Sequence, residues 1–143
     1  MDNIIATLVF PGEPISPVNQ YKARAVKMGH KWTAMMYMDS KFNKHKDAFV
    51  EYVKEYKILH NLQTYAGPVK VVAEFYFGTK RRKDLPNAGK LEWDALNELI
   101  WEDDSQILKL ETEKRYDKEN PRVEIKIYQF TSEHWPVPDR DVE

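Results

Sequence analysis

The chain has no cysteine, so disulfides, thiolate metal centres and cysteine nucleophiles are excluded, and any bound metal must be held by oxygen or imidazole. It has no apolar run of about 18 residues and no basic start leading into an apolar core, so we read neither a membrane-crossing helix nor a secretion signal. A cytoplasmic protein is expected. A surplus of positive charge is also missing: 22 Lys and Arg stand against 23 Asp and Glu, for a net charge of −1. That argues against a protein that coats nucleic acid over its whole surface, but a local basic patch beside an acidic site can still hold phosphates. Internal repeats and low-complexity blocks are absent.

What is present is enough for one folded domain. The 143 residues suffice for a single core, and 42% hydrophobic, 31% charged and 13% aromatic residues are globular values. The apolar, β-branched run Ile4–Phe10 predicts a buried strand inside a sheet, closed by the turn residues Pro11 and Gly12. The next segment carries Pro14 and Pro17, then Lys22, Arg24, Lys27, His30 and Lys31 among Tyr21, Trp32 and Tyr37. This reads as a long basic loop with a short hairpin around Gly29. It is either a surface for phosphates and stacked bases or a loop whose aromatics close over the core.

Asp39 and Ser40 offer an N-cap for a helix to Leu59, with Phe42, His45, Phe49, Tyr52, Val53 and Tyr56 at helical spacing. Neither His45 nor His60 has a second histidine at a metal-binding interval, so both are read as ordinary side chains. Alternation over Val69–Phe77 predicts a half-buried strand. A second helix is predicted over Asn87–Ile100, with Ala88, Leu91, Ala95 and Leu99 as its apolar stripe and Lys90 and Asp94 one turn apart on another face. Two strands follow, Ile107–Tyr116 and Arg122–Phe130, joined by DKENP. The sum is an α+β fold: one domain over residues 1–130 with a mixed, largely antiparallel sheet of four or five strands and two main helices. Residues 131–143 form a tail, docked through Trp135.

The chemistry gathers in KRRKDLPNAGKLEWDALNELIWEDDSQ, residues 80–106. Lys80, Arg81, Arg82 and Lys83 run into Asp84, and Asp103 and Asp104 close the segment. If the fold brings the two acidic points together, their oxygens make a hard site suited to Mg²⁺ or Mn²⁺. Cations to hold a backbone and a metal to activate water are the ingredients of phosphodiester hydrolysis. Lys90 can add positive charge at the phosphate. Taken singly, a basic run is most often a solvated loop and an Asp-Asp turn most often caps its own backbone.

The same segment resembles the signature of the RusA family of Holliday junction resolvases, in which a basic run leads to an Asp-x-Asp-Asn turn, a helix with a lysine and Asp-Ala-Leu, and then Asp-Asp-Ser-Gln. The likeness is specific over residues 80–125. It implies a Mg²⁺-dependent endodeoxyribonuclease (Mn²⁺ as a substitute) that resolves four-way junction DNA by paired symmetric nicks, as a homodimer with no membrane partner. It also implies a role in DNA recombination and repair, of a kind typical of phages and prophages. By position, the resemblance assigns Asp84, Lys90 and Asp104 to catalysis and Asp84 and Asp104 to the metal, with Asp103, Asp94 or water to complete its shell. Lys80, Arg81, Arg82, Lys83 and Asn87 go to DNA, with Asp94 and Gln106 in support, and the basic segment after Pro17 adds Lys22 and Arg24 to the DNA surface. One departure stands out: the second turn aspartate of the family is Pro86 here. Proline is tolerated at the start of a helix but can ligate no metal. Glu92 and Glu102 are nearby substitutes, and a junction-binding protein with weak or no cleavage is the alternative reading. A nucleic-acid-binding module whose carboxylates are only turn caps is another.

Overall fold

The computed structural model describes residues 3–15, 21–28, 31–38, 40–80 and 89–135, with backbone alone for 21–28, 31–38, 40 and 41. The elements run β1 (Ile4–Pro11), β2 (Tyr21–Met28), β3 (Lys31–Met38), α1 (Ser40–Leu59), β4 (Val69–Phe77), α2 (Lys90–Leu96), a 3₁₀ turn (Asp104–Gln106), β5 (Ile107–Tyr116) and β6 (Arg122–Gln129). Four strands form one mixed sheet in the order β1-β6-β4-β5, and β2 and β3 form a separate two-stranded ribbon. The β4–β5 pair is parallel, and the other two pairs of the sheet are antiparallel. The architecture is α+β, as the sequence predicts. Among the described residues no helix is long and apolar enough to cross a membrane.

Side chains of period two line one face of the sheet: Val69, Val71, Ala73 and Phe75 of β4 and Val123, Ile125 and Ile127 of β6 are all buried. Register places Val71 beside Ile127 and Ala73 beside Ile125. Ala6 and Leu8 of β1 extend that face. Phe42, Phe49 and Val53 of α1 and Leu91, Ala95 and Leu96 of α2 belong to the same core. The opposite face is polar. There Glu74 and Glu124 stand side by side, and each is offset by an arginine: Arg115 at 3.0 Å from Glu74 and Arg122 at 2.7 Å from Glu124. The Arg122 guanidinium also lies 3.7 Å from the centre of the Tyr76 ring.

Three features differ from expectation. The first strand is an edge, since β1 pairs only with β6 in the sheet. Its continuous apolar run reads as interior because α1 lies against its free side. The N–H groups of Thr7 and Val9 donate to the hydroxyls of Tyr56 and Tyr52, at 3.0 and 2.9 Å, satisfying donors that an edge otherwise leaves open. The basic loop is a hairpin of two eight-residue strands, in which Lys22 lies opposite Tyr37 and Arg24 opposite Met35. Prolines and cations suggest a loop, yet both prolines precede the ribbon, and Lys31–Met38 is rich in residues that suit strands.

The third difference is the end of α2, which stops at Leu96 rather than Ile100. Asn97 takes an extended conformation and Glu98 a left-handed one, with φ of 67°. This turn tucks Ile100 and Trp101 fully into the core. The Trp101 indole donates to Asn97 Oδ1 at 2.7 Å, and Glu98 N donates to the Trp101 carbonyl at 2.6 Å. His45 and His60 behave as ordinary side chains, packed on Phe10 and Tyr56 respectively.

Candidate active site

The site is built on the crossover between the parallel strands β4 and β5. Gly89 starts α2 with φ of 95°, a conformation that L side chains rarely adopt. A Cβ there would also meet the Trp93 ring at 2.6 Å. Glycine is therefore required twice over at the residue before Lys90. From this start the helix presents Lys90 and Asp94 to solvent, one turn apart.

Glu92 points the other way. It stands about 200° around the helix from Lys90 and is 1% exposed, and among the described residues its Oε2 has no hydrogen-bond partner. Burial pushes its carboxyl up to about 7. As a replacement for the aspartate absent at Pro86 it is badly placed, because it lies on the face opposite Lys90 and Asp94. Glu102 remains exposed.

The returning turn is locked from inside. Asp103 caps the 3₁₀ turn by accepting from Ser105 N at 3.0 Å. Gln106 completes a capping box: its Oε1 accepts from the N–H groups of Glu102 and Asp103, at 2.8 and 3.0 Å. The other end of the same amide donates to the carbonyls of Tyr65 and Gly67, at 2.9 and 2.8 Å. Gln106 thus ties the acidic turn to the chain entering β4, with all its hydrogen-bonding atoms in use.

Asp104 is left to face α2. Its carboxyl is raised above the usual carboxylate range by burial first, then by the negative charges of Asp103 and Asp94. Asp103 is instead held below that range, chiefly by its bond from Ser105. The two neighbours differ in role: Asp103 has a cap to hold, and Asp104 carries an unrelieved negative charge in a crowded place. A hard dication is the chemistry that relieves such crowding. Among the described residues, no three His, Cys, Asp or Glu side chains are grouped so that they could hold a metal ion.

The structure thus sets the turn that carries Asp104 beside the helix that carries Lys90 and Asp94, and leaves Lys80 elsewhere. Val69 pairs with Ile107 and Phe77 with Tyr116, so the acidic turn sits at the start of the β4–β5 pair and Lys80 beyond its end. Eight strand steps separate the two ends by about 26 Å. The Lys80 ammonium lies 5.1 Å over the exposed Tyr116 ring. Arg81, Arg82, Lys83, Asp84, Pro86 and Asn87 lie outside the described residues, as do the side chains of Lys22 and Arg24. Sequence reasoning missed Gly89 and the inward aim of Glu92. A glycine inside the predicted helix was the available sign for the first, and for the second, the position of Glu92 between Leu91 and Ala95 of the apolar stripe.

Fold and site together define a small α+β protein with an acidic turn set against a helix that carries lysine and aspartate. The family model described as Endodeoxyribonuclease RusA matches residues 11–128, and the chain belongs to that family of endodeoxyribonucleases. No curated protein matches the chain.

Proposed function

We propose that the protein is a Mg²⁺-dependent nuclease that resolves Holliday junctions by paired symmetric nicks. Family membership supports the nuclease, and the observation that carries the site is the packing of the Asp104 turn against the helix that presents Lys90 and Asp94. In this reading Asp104 and Asp84 are the principal metal carboxylates, with Asp103 contributing only as far as its cap allows. Mg²⁺, or Mn²⁺ in its place, would activate water and stabilise charge on the leaving oxygen. Lys90 holds the phosphate beside Asp104 through its charge. Gln106 positions the turn, and Asp94 adds to the burial and the Asp103 charge that raise the Asp104 carboxyl.

The basic run serves a different part of the same DNA. Lys80, about 26 Å from the acidic turn, would hold backbone several phosphates from the cut, and Arg81, Arg82, Lys83, Asn87, Lys22 and Arg24 would add contacts of their own to the same DNA. A homodimer suits the substrate, because an isologous pair presents two sites to two equivalent strands of a two-fold junction. Residues 1–130 would make up the nuclease domain, acting in the cytoplasm on recombining or damaged DNA, with 131–143 as an appendage.

The second reading, junction binding with little cutting, follows from Pro86. One assay separates them: a synthetic four-way junction with and without Mg²⁺. Symmetric nicks that vanish in Asp104→Asn support the enzyme. Tight binding without product at any Mg²⁺ or Mn²⁺ concentration overturns it, and cleavage gained by Pro86→Asp would then identify the cause.

A further inference from the structure

The residues after β6 lead to a feature that the nuclease reading does not use. A half-open slot of about 210 Å³ lies at the start of the β4–β5 pair, walled by Ala66, Gly67, Pro68, Ser105, Leu108 and Trp135. It shares Ser105 and Gln106 with the turn that carries Asp104. Trp135 is 62% exposed, yet its backbone is held. Trp135 N donates to the Ser132 carbonyl at 3.2 Å, His134 N to Ser132 Oγ at 3.1 Å, and Phe130 N to the Pro68 carbonyl at 3.1 Å. A two-ring side chain on a held backbone thus stands at the rim of an apolar slot, beside the acidic turn.

We propose that this slot takes one unstacked nucleobase of the DNA strand held at Asp104, with Trp135 as the stacking platform. The inference rests on the nuclease reading for the identity of the strand. Size limits the occupant: ligand pockets for whole small molecules run to about 300–1,000 Å³, so this slot suits a single ring system. Charge limits it further. Asp103 and Asp104 on the shared turn disfavour an anion, whereas a base is neutral and presents an apolar face. The Gln106 amide is fully engaged with backbone and is not free to read a base edge. Recognition is therefore by stacking, tolerant of sequence. A base drawn out beside the scissile phosphate would also turn the backbone toward Asp104, a geometry that a branch point supplies more cheaply than a continuous duplex.

The test uses the full chain in EDTA, so that no cutting occurs, with 2-aminopurine placed in a single-stranded oligonucleotide and, separately, at the branch point of a four-way junction. The wild type should quench the probe in both. Trp135→Ala should abolish the quench and weaken single-strand binding about ten-fold, within the range measured for removal of one base–aromatic stack. Trp135→Phe should restore most of both. Equal affinity and equal quench in Trp135→Ala overturns the proposal, as does an altered sedimentation mass with unchanged DNA binding, which would make the slot a protein contact. Thermal melts of the variants establish that they are folded. Because the single-strand arm needs neither junction nor metal, a wild type that quenches there but nicks no junction keeps the slot and loses only the resolvase reading.

Discussion

Asp94 on α2 raises the proton affinity of Asp104 on the 3₁₀ turn, adding to the effects of burial and of Asp103. Two carboxylates from neighbouring elements thus repel one another, an arrangement that disfavours folding and favours a dication. Replacing Asp104 by Asn removes the crowded charge. We expect Asp104→Asn to melt slightly higher than the wild type at pH 8 without added metal and to lose Mg²⁺-dependent nicking. A variant that melts lower and still nicks would contradict the assignment. Asp94→Asn should move the Asp104 midpoint down in a carboxyl NMR titration, and an unmoved midpoint would mean that the two groups are not coupled.

Gln106 offers a structural prediction of larger size. Its amide makes four hydrogen bonds to backbone groups, two to the start of its own turn and two to the chain entering β4. At a net value of about 0.5–1.5 kcal/mol each, Gln106→Ala should cost roughly 2–6 kcal/mol in urea unfolding. Gln106→Glu should be little better, since a carboxylate would face the carbonyls of Tyr65 and Gly67 with no proton to donate. A loss below about half a kcal/mol would show that the latch is redundant.

Glu92 makes the stability of the fold depend on pH. Its carboxyl is raised from 4.5 to about 7 in the folded chain, so between those values the folded state holds a proton that the unfolded state releases. Stability from this group is complete below pH 4.5 and is lost as pH rises through about 7. The full change is roughly 3 kcal/mol, because each pH unit between the two values is worth about 1.4 kcal/mol. Glu92→Gln should flatten the fall in stability between pH 5 and 8 relative to the wild type. Parallel curves for the two proteins would sink the idea.

The basic run predicts a salt effect. Arg81→Ala with Arg82→Ala should weaken binding to branched DNA and lower the log–log salt slope by about one unit for each phosphate that the variant no longer neutralises. Lys80→Ala should do less, because its ammonium is already engaged with Tyr116. An unchanged slope in the double variant would place the run in solvent.

Much of the fold is legible in the sequence because it depends on local order along the chain. Period-two alternation marks the inward faces of β4 and β6, helical spacing marks α1, and Asp103-Asp104-Ser105-Gln106 announces a capped turn. Local pattern misleads where a distant element completes a local group. The edge position of β1 depends on two tyrosines some forty to fifty residues away, and α2 ends early because Trp101 is drawn into the core. Burial, pairing and electrostatic crowding are relations between elements, so residues that look alike in sequence separate only on folding. The pair Asp103 and Asp104 divides into a cap and a crowded carboxylate, and Lys90 and Glu92, two positions apart, point to opposite sides of one helix. By itself the sequence determined the α+β class, the charged segment 80–106 and the family resemblance, because each is written in residue order. Only the tertiary structure decided that the Asp104 turn packs beside the helix of Asp94, that Lys80 stands at the far end of the strands, and that Trp135 returns to the acidic turn.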